Sequence, residues 1–199
     1  MKLDSNNLLD GIIEKLSNID YVHSSEIPNI DLYMDQVTTF MDAHLSSTKR
    51  YEDDKILTKT MINNYTKNNL LPPSNKKKYS KEHVLLLILI YYFKSFLSIK
   101  DIETFLAPLK NNYFSAEGEL DLTFIYEELF KVQKSQIGPM IEDMKQAFSR
   151  SEQTFADVPE KDRETLQTFA LLCDLSFDVY IKKMLIERIL DDVFTDSED

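Results

Sequence analysis

Apolar positions recur at helical spacing along most of the chain. Leu8, Leu9, Ile12, Ile13, Leu16 and Ile19 form a first stripe, and Asp4 or Ser5 is placed to cap its helix. Residues 20–30, with Pro28, interrupt the pattern and read as a linker. Asp31 then caps the segment LYMDQVTTFMDAHL, whose Leu32, Val37, Phe40, Met41 and Leu45 predict a helix with one inward face. The connection SSTKRYEDD reads as a mobile polar loop, in which Lys49, Arg50 and Tyr51 could touch a phosphate backbone.

A short polar helix is predicted over residues 58–67. The Thr58 hydroxyl can accept from a free amide one turn on, and Ile62 and Tyr65 share an inward face beside Met61. The outward face holds Lys59, Thr60, Asn63, Asn64 and Lys67, with no carboxylate. The helix is expected to stop at Asn68-Asn69, because Asn tolerates the left-handed conformation of many helix ends. Leu70 and Leu71 turn inward, Pro72-Pro73 stiffens the exit, and Ser74-Asn75 signals a turn. Lys76, Lys77, Lys78 and Tyr79 then form an arm long enough for a small hairpin at most.

Ser80 starts the next helix, with Glu82 in its first turn. Its stretch VLLLILIYYF is apolar all round, as in a core helix, and falls well short of the roughly 20 residues that span a bilayer. Ser98 caps a further helix with Ile99, Ile102, Phe105 and Leu106 inward, which Pro108 is expected to end. After a polar break and Gly118, Ile125, Leu129 and Val132 form one helical stripe. Ile137, Met140, Ile141, Met144 and Phe148 form another, and Gly138-Pro139 should kink or divide the two. Residues 151–160, with Pro159, are a second break. The last helix, from about 162 to 194, carries Leu166, Phe169, Cys173, Phe177, Tyr180 and Met184 on an apolar face wider than a two-stranded coiled-coil seam. It reads as packed on several neighbours, with the terminal DDVFTDSED fraying.

The 43% hydrophobic content of these 199 residues is enough for a buried core, and three glycines are too few for a sheet-rich fold. A mainly α protein is expected. The single Cys173 excludes an internal disulfide and reads as a buried, inert thiol. With no signal segment or membrane span visible, the expected location is cytoplasmic. The formal charge of −11 is unevenly spread: residues 49–81 hold nine basic and three acidic side chains, and residues 111–199 hold nine and twenty. Counterion release from a nucleic acid needs such a local basic patch, not a basic whole.

No catalytic constellation is visible. There is no Gly-rich phosphate loop; His23, His44 and His83 are isolated from one another and from Cys173; and the carboxylates scatter over helix surfaces. No enzyme activity, metal or cofactor is expected, and His83, at a helix start, reads as structural.

The order of a polar helix, Leu-Leu-Pro, a basic arm, Tyr-Ser, a core helix and a final Leu-Ser-Ile helix resembles the MerR-type winged helix-turn-helix of bacterial transcription regulators. Tyr65 followed by Asn69-Leu70-Leu71-Pro72 is similar to the exit of that family's recognition helix. Lys77, Lys78, Tyr79 and Ser80 match its basic wing, and Leu97, Ser98, Ile99, Ile102 and Leu106 its following helix. Asn63, Asn64 and Asn69 stand where the family usually has Arg, an aromatic and Gly. More narrowly, the chain resembles a group of uncharacterised conserved bacterial proteins of about this length.

The resemblance implies an N-terminal amphipathic helix (1–25), a MerR-like winged helix-turn-helix (26–110) with a small basic wing, and an acidic helical region (111–199). The expected function is sequence-specific binding of double-stranded DNA. Thr58, Lys59, Thr60, Asn63, Asn64 and Lys67 would enter the major groove, with Asn63 and Asn64 on base edges, while Lys76, Lys77, Lys78 and Tyr79 lie on phosphates. A homodimer is expected, with the acidic region dimerising or receiving a small-molecule or protein effector. Tyr113, Phe114, Tyr126, Phe169, Phe177 and Tyr180 are enough aromatics to line an effector pocket, but ordinary core residues are the stronger reading of them. The alternative is a non-enzymatic protein-interaction adaptor built on the same scaffold.

Overall fold

The computed structural model describes residues 5–116 and 118–194, with side chains from Leu8 onward. The Asp4 and Ser5 caps and the expected fraying at 195–199 lie outside what is described. Among the described residues the fold is mainly helical: α1 (Ser5–Ser17), α2 (Met34–Leu45), α3 (Lys59–Lys67), α4 (Lys81–Phe93), α5 (Ile99–Tyr113), α6 (Leu122–Ser135), α7 (Ile137–Glu152) and α8 (Glu160–Phe194). One small antiparallel sheet pairs β1 (Leu32–Tyr33) with β2 (Lys78–Tyr79), in the register Leu32 opposite Tyr79 and Tyr33 opposite Lys78.

The chain forms two compact units. One comprises Val22–Leu129 with the chain from Glu187 onward; the other joins the segment ending at Tyr21 to Phe130–Ile186.

The first unit is built on α4. Every side chain from His83 to Ile90 is buried, as a helix apolar on all sides requires. Val37, Met41 and Leu45 of α2, Ile62 and Tyr65 of α3, Ile102 and Leu106 of α5, and Leu122 and Tyr126 of α6 complete the core. Ser98 caps α5 as expected: its hydroxyl accepts from the Asp101 N–H at 3.1 Å, and the Asp101 carboxylate accepts from the Ser98 N–H at 3.1 Å.

Several expectations are corrected here. The supposed linker at 20–30 is folded structure: Val22 and Ile27 are buried, the Tyr126 hydroxyl donates to the Val22 carbonyl at 2.6 Å, and the Ser24 N–H donates to Glu127 at 2.7 Å. Leu32 and Tyr33 are strand, not helix; α2 starts one residue later, where the Gln36 side chain accepts from the Tyr33 N–H at 2.8 Å. Cross-strand hydrogen bonding with β2 takes the place of the first helical turn, and Asp31 does not cap. Ile99 and Phe105 stay partly exposed, since α5 buries only the narrower face of Ile102 and Leu106. Pro108 lies inside α5, which continues to Tyr113, past the boundary expected at residue 110. Proline removes one ladder hydrogen bond, but the turn beyond it is anchored where the Lys110 ammonium donates to the Asn69 carbonyl.

In the second unit, Ala147, Phe148 and Leu171 form a small core against Leu8, Leu9, Ile12, Met144 and Leu175. Tyr21 stacks on Phe130 with centroids 4.7 Å apart. The expected division by Gly138-Pro139 is present: α6 ends at Ser135, and Pro139 stands in the first turn of α7, where it leaves no intrahelical acceptor unmatched. The Gln167 amide donates to the Glu152 and Thr154 carbonyls at 2.6 and 3.1 Å, tying α8 to the end of α7. Helix α8 packs on α1 and α7 through Leu171 and Leu175, but the apolar face expected to be covered is largely exposed. Phe169, Leu172, Phe177 and Tyr180 are all more than half exposed.

Candidate nucleic-acid interface

Helix α3 is short and held at both ends. At the start, the Thr58 hydroxyl accepts from the Met61 N–H at 3.2 Å. At the finish, Asn69 takes a φ of 59°, the Leu70 N–H bonds back to the Tyr65 carbonyl at 2.9 Å, and the Asn69 N–H to Thr66 at 3.2 Å. This is a Schellman ending with Asn in the position usually given to Gly. The Asn69 amide then donates to Glu103 at 3.0 Å, fixing the helix end to α5.

These anchors set which side of α3 is free. Ile62 and Tyr65 are buried, and burial pushes the Tyr65 phenol up from its ordinary pKa. Lys59, Thr60, Asn63, Asn64 and Lys67 are exposed. Thr58 is half-buried, with its hydroxyl engaged as the cap. The Asn64 side-chain oxygen accepts from the Asn68 amide at 3.0 Å, whereas Asn63 makes no hydrogen bond within the helix face. Lys59 forms an ion pair with Asp35 of α2.

The basic arm is a tight hairpin. Asn75 and Lys78 exchange both backbone hydrogen bonds, at 3.0 and 2.9 Å, and the two residues between them, Lys76 and Lys77, have φ of 50° and 64°. Positive φ at both central positions is the type I′ geometry, which normally selects Asn-Gly or Gly-Gly. Two lysines occupy it here, at a conformational cost of order 1 kcal/mol each. Both are exposed. Lys78, half-buried, lies over the Tyr33 ring with its ammonium 5.3 Å from the centroid. Among the described residues, Lys67, Lys76, Lys77 and Lys78 make no ion pair.

Tyr79 is the correction in this set. The residue expected on phosphates is only 4% exposed, because the strand alternation that turns Lys78 outward turns Tyr79 and Leu32 inward. Its ring meets His83 edge-on at 5.5 Å. His83 is buried as expected of a structural residue. Its Nδ1 accepts from the Ser80 N–H at 3.0 Å, Phe114 abuts its other side at 4.8 Å, and Nε2 has no partner. Burial pulls its pKa below the ordinary histidine value, against smaller opposing effects of the Pro72 and Pro73 carbonyls, Glu82 and Asp31.

Sequence reasoning missed β1 and the groups that pin the patch. The Gln36 side chain three residues after Tyr33 was the one legible sign of a helix start at 33. Of the connection, Lys49 is engaged with Asp42 at 2.7 Å, while Arg50 and Tyr51 are exposed with the Arg50 guanidinium over the Tyr51 ring. Of the aromatics suggested for an effector pocket, Tyr126 is core and Phe114 packs on His83, while Phe169, Phe177 and Tyr180 border one open groove on α8. Among the described residues no group of three or more His, Cys, Asp or Glu side chains is placed to hold a metal, and no helix is long and apolar enough to cross a membrane.

No curated protein and no solved structure matches the chain. A family profile described as a domain of unknown function, DUF1836, matches residues 22–129. Its span coincides with the compact unit that carries α3 and the lysine hairpin. Since the match covers more than half of the sequence, the chain belongs to the DUF1836 family.

Proposed function

We propose that this protein is a sequence-specific, double-stranded-DNA-binding transcriptional regulator whose family domain is a MerR-like winged helix-turn-helix. In this reading α2 and α3 are the helix-turn-helix, β1 and the 75–79 hairpin are the wing, and α4 and α5 are the supporting helices. Lys59, Thr60, Asn63, Asn64 and Lys67 of α3 enter the major groove, with the Asn63 amide free to pair with adenine. Lys76 and Lys77 lie on phosphates beside the groove, with Lys78 behind them.

The observation that carries the reading is the hairpin tip. Uncompensated lysines occupy two adjacent left-handed positions, where Asn and Gly would be less strained. Strain of that kind persists at sites where the side chains are needed, and what two exposed ammonium groups offer is charge. The patch lies on a chain of net charge −11, so loose binding to any polyanion is discouraged and a docked orientation favoured.

The test is selection of preferred sites from random duplex DNA with the purified full chain, followed by binding of the selected site across a range of salt concentrations. Enrichment of a defined site and a steep salt dependence are expected. No enrichment, together with retention of an acidic protein by the same lysine tip, would replace this reading with that of an adaptor.

A further inference from the structure

We infer that the exposed apolar face of α8 is the interface between two copies of this chain. On a helical wheel Phe169, Leu172, Cys173, Ser176, Phe177 and Tyr180 fall on one side, opposite the Leu171 side that packs inward, and Met184 extends the same stripe. The face contains no charge between Phe169 and Tyr180. Phe169 is 61% exposed, Leu172 57%, Phe177 67%, Tyr180 60% and Met184 45%. Together they leave about 600 Å² of side chain in water, at the upper limit for a patch on a monomer.

Area and shape select a second copy as the occupant. Two such faces bury about 1,200 Å², the lower end of a specific interface, and Val179 and Ile181 on the shoulders add to it. The small Cys173 and Ser176 form the floor of an open groove of about 370 Å³, bordered by Phe169, Leu172, Phe177 and Tyr180. One helix thus presents both aromatic knobs and the gap that receives them, the self-complementarity that a twofold interface needs. Beyond Tyr180 the same side of the helix carries Lys183 and Glu187, while of the charges flanking the apolar stretch Arg150 pairs with Asp174 at 2.6 Å and Lys182 with Asp178 at 2.7 Å. One cation, Lys183, next to one carboxylate, Glu187, is no basic rim for an anionic bilayer surface, and from Phe169 to Tyr180 the face offers a charged partner nothing to pair with.

Sedimentation of the full chain from low to high micromolar concentration tests the inference without reference to DNA. The expected result is a reversible dimer. Phe177→Asp and Tyr180→Asp, both at exposed positions, should weaken association about tenfold or more with helical circular dichroism unchanged, and Ser149→Asp on α7 should leave it intact. A monomer at all concentrations would overturn the inference, as would a dimer indifferent to both substitutions. A dimer that selects no DNA site would leave this interface standing and remove the proposed function instead.

Discussion

Leu32 faces Tyr79 across two antiparallel strands, and both side chains point into the core while their neighbours Tyr33 and Lys78 point out. This one register pair attaches the lysine hairpin to the start of α2. It divides the 76–79 arm into three lysines available for contact and one tyrosine that holds them in place. Tyr79→Ala should therefore destabilise the whole family domain by about 3–5 kcal/mol, as for other buried aromatics. Lys77→Ala should change stability by less than about 0.5 kcal/mol. Urea unfolding of the two variants measures the difference, and similar midpoints would mean that Tyr79 is not the anchor.

The strained tip yields a trade between stability and binding. Replacing Lys76-Lys77 by Asn-Gly supplies the residues the type I′ turn prefers. Thermal unfolding should rise by several degrees, in line with a gain of about 1–2 kcal/mol, while affinity for the selected DNA falls. A variant that gains stability and keeps full affinity would show that the lysines have no role at the duplex.

Asn63 and Lys77 are assigned different work, so their alanine variants should differ in kind. Asn63→Ala should relax preference at one base position, worth about 1–3 kcal/mol of discrimination. Lys77→Ala should weaken all sequences alike and lower the salt slope by about 1. Titrations against the selected site and its single-base variants, at several salt concentrations, separate these effects; equal behaviour would remove the assignment.

His83 makes the domain sensitive to acid. Its folded pKa lies below the unfolded value of about 6.5, so the unfolded chain takes up the proton first. Its contribution to stability is complete above pH 6.5 and is lost as the pH falls toward the folded pKa. Protonation also removes the acceptor at Nδ1 that meets the Ser80 N–H. His83→Gln, which retains a side-chain acceptor at the same helical position, should flatten stability against pH between about 5 and 7. Unfolding free energies measured across that range decide it, and an unchanged slope would assign the dependence to other groups.

The elements themselves were written locally. The Thr58 cap, the Asn69 ending, the inward Ile62 and Tyr65, the buried 83–90 stretch of α4, the Ser98 box and the division near Gly138-Pro139 each follow from a few adjacent residues. Such features depend on dihedral preferences and on capping bonds that close within one turn. The exposed face of α3 could be named for the same reason, because burying Ile62 and Tyr65 leaves only one side out.

What no stretch of chain could announce were relations between distant segments. Whether Leu32-Tyr33 is helix or strand depends on Lys78-Tyr79, some 45 residues away, offering unpaired backbone groups. That pairing alone sends Tyr79 inward. The burial of Val22 and Ile27 depends on Tyr126 and Glu127 arriving from α6. The stripe on α8 looked like core because apolar periodicity records that a face is to be buried, and only three-dimensional packing reveals that its own chain leaves it uncovered.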